Sequence, residues 1–380
     1  MDCGSTLRRC RRIRIYPDAT QRTVLRRILG IARYTYNKTV EYLQHPGTVA
    51  NWMAIKTDII KSLPEWAAEA PYQVRSIAVK EACIAVRNAK AKYKRTGKVC
   101  KVSFRSRKAP RQSVFVIKNS ISENGIFTRI LKEMRYSELL PEIHHDCHLV
   151  YEYGKWYVAI PVDVERQCAR DKCSVVSIDP GVRTFLTCYC KDGVVELGEG
   201  AVDRILKLCR SMDALQRRMA KSRARQRQNL RRAFKRLQFR LKYLKDELHW
   251  KCATFLAKSF GIIVIPPFSA HEMCGRVRRR LKSRTVRSML NLGHSEFRKR
   301  LRLQCEKYGS RMIEVSEAYT SKTCPVCGGV HERLGGSKVF RCPHCGHVAP
   351  RDVNGARNIL LRALVDSPTQ FTLRETVENC

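Results

Sequence analysis

Two Cys-x-x-Cys knuckles constrain this chain more than any other feature. Cys324 and Cys327 sit in CPVCGG, Cys342 and Cys345 in CPHCGH, and fourteen residues separate the pairs. Knuckles at that separation can bring four thiolates round one Zn²⁺ in a tetrahedron. Gly328 and Gly346 follow the pairs, where a tight turn lets backbone N–H groups approach sulfur. With four protein ligands such a site is closed and structural, not catalytic. His344 or His347 is the alternative donor in place of one thiolate. The other fourteen of the eighteen cysteines are irregularly placed and read as small apolar residues. A disulfide scaffold suits small secreted chains, not one of 380 residues. HHDCH at 144–148 is a weaker metal candidate, because adjacent histidines on a strand face opposite ways; surface polar residues are the preferred reading.

Charge narrows the partners. Lys and Arg number 74 against 34 Asp and Glu, a net charge of +40. A fold carrying that excess repels itself unless a polyanion binds, which points to nucleic acid. No apolar stretch approaches the ~20 residues of a membrane span, so no membrane partner is expected. The opening MDCGSTLRRCRRIRIYPD lacks a following apolar region, so no secretory signal is expected and the reading is intracellular. Residues 87–118 hold twelve basic residues and no acid, 201–250 sixteen against four, and 271–310 twelve against three. One such run is ordinarily a solvated face; three suit an extended channel. Tyr93, Phe104 and Phe115 interleave the first run, as stacking platforms or as strand core.

The pattern divides the chain. IRIYPD predicts a strand stopped by Pro17, with Asp18 or Thr20 capping a helix whose apolar residues run Leu25, Ile28, Leu29, Ala32, Tyr36, Val40, Leu43. Helical pattern continues to about Lys94. VSFRS, SVFVIKN, HLVYEY and KWYVAIPV then predict an antiparallel sheet or small barrel over 99–163. CSVVSID is a short apolar run suited to a buried strand, and a hairpin is expected around Lys191-Asp192-Gly193. Two heptad-like helices, joined by a polar linker KSRARQRQN, predict a helical hairpin, with a dimerising coiled coil as the alternative. GIIVIPPF is a second buried strand, a basic helix runs from about Arg280 to Lys307, and SRMIEVSE is a third strand. The order β-β-β-α-β-α-β followed by a helix is that of the ribonuclease H-like fold.

Asp179 ends an apolar strand, so its carboxylate emerges at a sheet edge where α/β sites lie. Asp352, in RDVNGARN, opens a helix and is either a cap or a ligand. Two acids converging from opposite ends of a domain can hold divalent cations, and a Mg²⁺ pair serves phosphodiester hydrolysis.

SIDPGVRTF, EAYTSKTCPVCGG and FRCPHCGHVAPRDVNGARNI resemble the transposon-encoded TnpB nucleases and their eukaryotic relatives, the Fanzor proteins. RIRIYPDATQRTVLRRILGIARYTYNKTV resembles the opening of the same superfamily, with Pro17, Gln21, Arg33 and Asn37 in familiar places; the stretch 44–98 is the least specific. The resemblance implies an RNA-guided DNA endonuclease of multidomain α+β fold. A strand-rich wedge domain (1–20 and 99–170) would carry a helical recognition insertion (21–98). A ribonuclease H-like (RuvC) α/β domain (171–317 and 351–366) would carry an inserted zinc ribbon (318–350), with a tail at 367–380. It implies two catalytic Mg²⁺ and one structural Zn²⁺, a guide RNA, and target double-stranded DNA with a short adjacent motif, in a monomeric ribonucleoprotein. Arg33, Asn37, Lys94, Arg95, Arg105 and Arg107 are the nucleic-acid contacts it suggests. Residence is nuclear if the host is eukaryotic.

One departure matters. Bacterial members carry their middle catalytic Glu at the end of the strand matching GIIVIPPF, where this chain has Pro266-Pro267-Phe268 and no acid before Glu272. It has instead Glu317 before the YTS motif, on the neighbouring strand ~4.8 Å away, as in the Fanzor branch. The expected catalytic set is therefore Asp179, Glu317 and Asp352. Glu272, or a dead nuclease that only binds, is the alternative, and a guide-free nuclease resembling Holliday-junction resolvases is the rival from another class.

Overall fold

A computed structural model of the chain describes residues 6–167, 174–267 and 283–366. Its contacts divide the chain into two compact units, Arg8–Val164 and the remainder, Met1–Leu7 with Glu165–Cys380. No helix among the described residues is long and apolar enough to cross a membrane.

In the unit Arg8–Val164, strand β1 (Thr6–Tyr16) turns Ile13 and Ile15 inward. Asp18 then caps α1 (Ala19–Tyr42): its carboxylate accepts from the Gln21 N–H while the Gln21 side chain accepts from the Asp18 N–H. Helix α2 (Trp52–Lys61) and α3 (Tyr72–Thr96) follow, α3 ending on Gly97 at φ 64°. Then come β2 (Arg111–Val116), a small hairpin of β3 (Ile121–Ser122) and β4 (Gly125–Ile126), the single-turn α4 (Thr128–Leu131), β5 (Arg135–Tyr136), β6 (Cys147–Glu152) and β7 (Lys155–Glu165). The main sheet runs β2-β6-β7-β1-β5. Leu25 and Ile28 of α1 pack on Val114, Leu149, Val158 and Ile160 of the sheet, all buried.

VSFRS is not a strand. The two sides of the Arg105 backbone, which a ladder would have used, are taken by Asn37: the Arg105 N–H donates to Asn37 Oδ1 at 2.7 Å, and Asn37 Nδ2 donates to the Arg105 carbonyl at 3.0 Å. The strands that follow α3 therefore start at Arg111.

The second unit is built on β8 (Val175–Pro180), β9 (Leu186–Cys190), β10 (Gly193–Leu197), β11 (Ile262–Ile265) and β12 (Arg311–Glu314), in the order β10-β9-β8-β11-β12. The first three are antiparallel, with the hairpin turn at the expected Lys191-Asp192, and β11 and β12 run parallel to β8. Central β11, IIVI, is buried on both faces, which is why its sequence is an unbroken apolar run. Ile263 and Ile265 face a core with α5 (Ala201–Lys221), α6 (Ala224–Ser259) and α8 (His294–Tyr308), through Ile205, Leu256, Phe297 and Leu301. Ile262 and Val264 face Ile313, Ile359 and Ala363, the last two on α9 (Arg351–Asp366). The sheet is thus covered by helices on both sides.

Two helical boundaries differ from expectation. The linker KSRARQRQN shrinks to Ser222-Arg223, because its Arg, Gln and Ala residues are good helix formers and nothing in it breaks α6. The basic helix is two helices, α7 (Ser283–Leu292) and α8, split at Gly293, whose φ of 65° no helix continues through. Between β12 and α9 lies the cysteine segment, whose β13 (Val339–Arg341) and β14 (Val348–Pro350) pair antiparallel over buried Leu334 and Phe340. The tail 367–380 and Glu272 lie outside the described residues.

Candidate functional site

The four knuckle cysteines converge. Cys324 Sγ lies 3.6 Å from Cys345 Sγ and Cys327 Sγ 3.5 Å from Cys342 Sγ, and all four sulfurs lie within 4.8 Å of one another. A tetrahedron with Zn–S bonds of ~2.3 Å has edges of ~3.8 Å, so the donor set fits Zn²⁺. Gly328 (φ 74°) and Gly346 (φ 72°) take the left-handed turns that follow each pair. The backbone N–H of Cys345, and after it that of His344, points at the Cys342 sulfur and pulls its thiol down to about 6, favouring the thiolate that metal binding needs. Among the described residues this is the one group of three or more such donors so closely gathered. HHDCH is dispersed instead: His144 pairs with Glu142, His145 faces Asp163, and His148 packs against the Phe115 ring.

At the ends of β8, β12 and α9 the three predicted acids come near one another, less tightly gathered than the cysteines. Asp179 is the penultimate residue of β8, opposite Thr187 of β9. Asp352 is the second residue of α9, and Glu317 lies three residues past the end of β12. All three are partly buried, and the Asp179 carboxylate lies against α9: a Cβ on Gly355 would stand 2.6 Å from Asp179 Oδ2. That contact shields the oxygens from water although the residue keeps some exposed surface. Burial, then the charges of Asp352 and Glu317, push the Asp179 carboxyl up to about 8, against a smaller opposing pull from Arg351. Burial also raises Glu317. Buried carboxylates near one another, only partly offset by Arg351, are what a divalent cation relieves, and the oxygen donors suit Mg²⁺.

The end of β11 offers no carboxylate. The Pro267 carbonyl there accepts from Arg298 of α8. Glu314, at the end of β12, is held by Arg302 at 2.6 Å and Arg298 at 3.5 Å, which leaves Glu317 as the acid on this strand's path that faces Asp179. Sequence reasoning missed the residues that hold this corner together. Asn358 of α9 donates to the carbonyls of Thr320 (2.8 Å) and Thr323 (2.7 Å), and Asn354 donates to Thr323 (3.0 Å). Gly355 gives Asp179 its room. Two asparagines one turn apart on a helix were the available signal.

The six residues suggested as nucleic-acid contacts separate into two groups. Arg33 donates to Gln112, Asn37 holds the Arg105 backbone, and Arg105 pairs with Glu81 at 2.8 Å while lying 3.8 Å over the Tyr36 ring. Those three fasten 105–112 to the helices. Lys94, Arg95 and Arg107 are exposed.

Residues 294–359 match a family described as Cas12f1-like, TNB domain, and residues 7–45 match a helix-turn-helix domain. The chain is 28% identical over 385 residues to a protein of Paramecium bursaria Chlorella virus 1 provisionally named a transposase, covering 94% of this chain and 87% of that one. It is 24% identical to a TnpB-like protein of Acanthamoeba polyphaga mimivirus, covering 92% and 72%. It is 27% identical to InsQ of Escherichia coli (strain K12), provisionally named an RNA-guided DNA endonuclease, covering 92% and 90%. Its fold is similar to that in the cryo-EM structure of the Cas12f1–sgRNA–target DNA complex, with a TM-score of 0.52 at 12% identity over 93% of this chain and 98% of that chain.

Proposed function

The chain belongs to the TnpB superfamily, and from that premise we propose that it is an RNA-guided, metal-dependent DNA endonuclease of transposon origin. The observation that carries the reading is the corner where the Asp179 carboxylate, packed against Gly355 of α9, is held at about 8 by burial and then by the charges of Asp352 and Glu317. The sheet order β10-β9-β8-β11-β12, with helices on both faces, supports a ribonuclease H-like (RuvC) domain around that corner. The sheet-and-helix unit Arg8–Val164 then serves as wedge and recognition domain. Glu317 past the end of β12, with Pro266 and Pro267 where β11 ends, resembles the arrangement of the Fanzor branch.

Asp179, Glu317 and Asp352 would hold two Mg²⁺, which when bound supply activation of water and neutralisation of the leaving 3′-oxygen. Asp179 is presented by a rigid central strand, Asp352 by the first turn of α9, and Glu317 by a turn tied to α9 through Asn358. The four cysteines would hold one structural Zn²⁺. The net charge of +40 suits a protein that grips heteroduplex backbone while a guide RNA reads sequence by base pairing.

The test is to purify the complex, sequence the RNA that accompanies it, and challenge it with DNA matched to that RNA beside randomised flanks. The expected result is Mg²⁺-dependent cutting next to a short motif that follows the guide when the guide is exchanged. Cutting of branched DNA without RNA would replace this reading by a structure-selective nuclease, and guided binding without cutting by an inactive binding module.

A further inference from the structure

Four non-glycine residues among those described have a positive φ: Phe127, Lys132, Tyr153 and Tyr319. Phe127 is buried, so core packing accounts for its ring. Tyr319 is different. Its φ is 64°, and it is 68% exposed. A left-handed backbone disfavours a bulky side chain, and glycine would take this position without strain. Among the described residues glycine takes twelve other positive-φ positions, so the ring at 319 is not what the turn demands.

What surrounds the ring points to its use. Tyr319 is two residues past Glu317, and its carbonyl is the pivot of the turn, accepting from the N–H groups of Lys322 (2.9 Å) and Thr323 (3.0 Å) and from Thr323 Oγ1 (3.0 Å). Arg362 donates to the Ala318 carbonyl at 2.7 Å, and Asn358 holds Thr320 from beneath. The backbone is therefore over-determined while the ring stands in solvent. Strain kept by its surroundings, with an exposed flat apolar face two residues along the chain from Glu317, is a mark of a ligand contact. Lys322, whose N–H closes this turn, and Arg362, which reaches the Ala318 carbonyl, bring cations to it, so the ligand that suits it is a polyanion with flat groups, a nucleic-acid strand and not an apolar protein segment.

We propose that Tyr319 is a stacking platform for an unpaired base of the DNA strand being cut, fixing that strand against the carboxylate corner. The inference rests on the nuclease reading and names a strand-positioning residue within it. A rigid aromatic shelf two residues from a metal-binding carboxylate sets the distance between one base and the phosphate to be hydrolysed. Because every base has a π face, the platform is sequence-tolerant, as a guided nuclease requires.

Three variants of the full ribonucleoprotein test it. Tyr319→Gly removes the ring and relieves the backbone, so the melting temperature should hold or rise while cleavage of a matched target at subsaturating DNA slows ~10-fold or more, the scale of one lost base stack. Tyr319→Phe keeps ring and backbone and should cut within about twofold of wild type, because stacking needs no hydroxyl. Tyr319→Asn, which tolerates the left-handed backbone without an aromatic face, should behave like the glycine variant. Cleavage by the glycine variant at the wild-type rate would overturn the proposal, and so would a phenylalanine variant as slow as the glycine one. A second readout does not depend on cutting. Target strand carrying 5-iododeoxyuridine near the cut, bound with Ca²⁺ in place of Mg²⁺ and irradiated, should give an adduct on Tyr319 by mass spectrometry. Absence of that adduct overturns the platform. An adduct from a wild-type complex that never cuts would uphold the platform and remove the nuclease reading.

Discussion

Replacing Asp179 by Asn should stabilise the cation-free protein while ending its cleavage. In the fold the Asp179 carboxyl ionises at about 8, whereas in the unfolded chain it ionises near 3.8. The sign follows from proton counting. Between those values the folded state binds the proton and the unfolded state does not, so this residue's contribution is present in full below about pH 4, falls as pH rises, and is flat above about 8. At pH 7.5 the ceiling on the loss is ~5 kcal/mol, at ~1.4 kcal/mol per tenfold proton ratio. Water reaching the partly exposed site, and Arg351 beside it, reduce this to ~1–3 kcal/mol. For a unit of about 200 residues that is ~2–10 °C in melting temperature. The assay is thermal unfolding of wild type and Asp179→Asn in EDTA at pH 5 and 7.5, then with Mg²⁺. The Asn variant should melt higher at pH 7.5, the gap should narrow at pH 5, and added Mg²⁺ should raise wild type alone. A variant that melts lower at pH 7.5 in EDTA, or a gap indifferent to pH, would refute the claim that crowded carboxylates strain this corner.

Other perturbations separate the remaining assignments. Cys342→Ser should lower bound zinc, measured by plasma mass spectrometry, from about one per chain towards zero; an unchanged content would reject the four-thiolate site. Glu317→Gln should abolish Mg²⁺-dependent cleavage by several orders of magnitude with guide and target binding intact, whereas Glu272→Gln should cut nearly normally, and the reverse pattern would transfer the ligand role to Glu272. Asn358→Ala strands the buried Thr320 carbonyl and leaves that of Thr323 to Asn354, so urea unfolding should show a loss of ~1–3 kcal/mol, and no loss would mean that water replaces the amide.

What was legible in the sequence is what the backbone dictates locally. The runs CSVVSID and GIIVIPPF announce strands buried on both faces, because such strands admit no polar alternation, and a carboxylate after one of them must emerge at its end. Knuckle spacing reports a metal site because the ligands are near neighbours along the chain. What escaped is what distant side chains decide. Asn37 removes VSFRS from the sheet by occupying its backbone groups, from 68 residues away. A linker rich in Arg and Gln reads as a loop by polarity and folds as helix by propensity. Glu317 is a coil residue three past its strand, so its aim depends on asparagines of a later helix. Gly355 matters for an atom it lacks, and a sequence gives no sign of that.

The four-cysteine segment is inserted between a strand and a helix, and each of its two ends carries an acid: Glu317 just before it, Asp352 just after. The segment thus works as a caliper whose jaws are those two carboxylates, with Asp179 as the fixed mark between them. A shift of the ribbon as a body moves both jaws together, and a change in its internal span alters the gap. In the proposed nuclease, nucleic acid that loaded this segment from one side would exert leverage on the spacing of the ions, with no need for the central sheet to move.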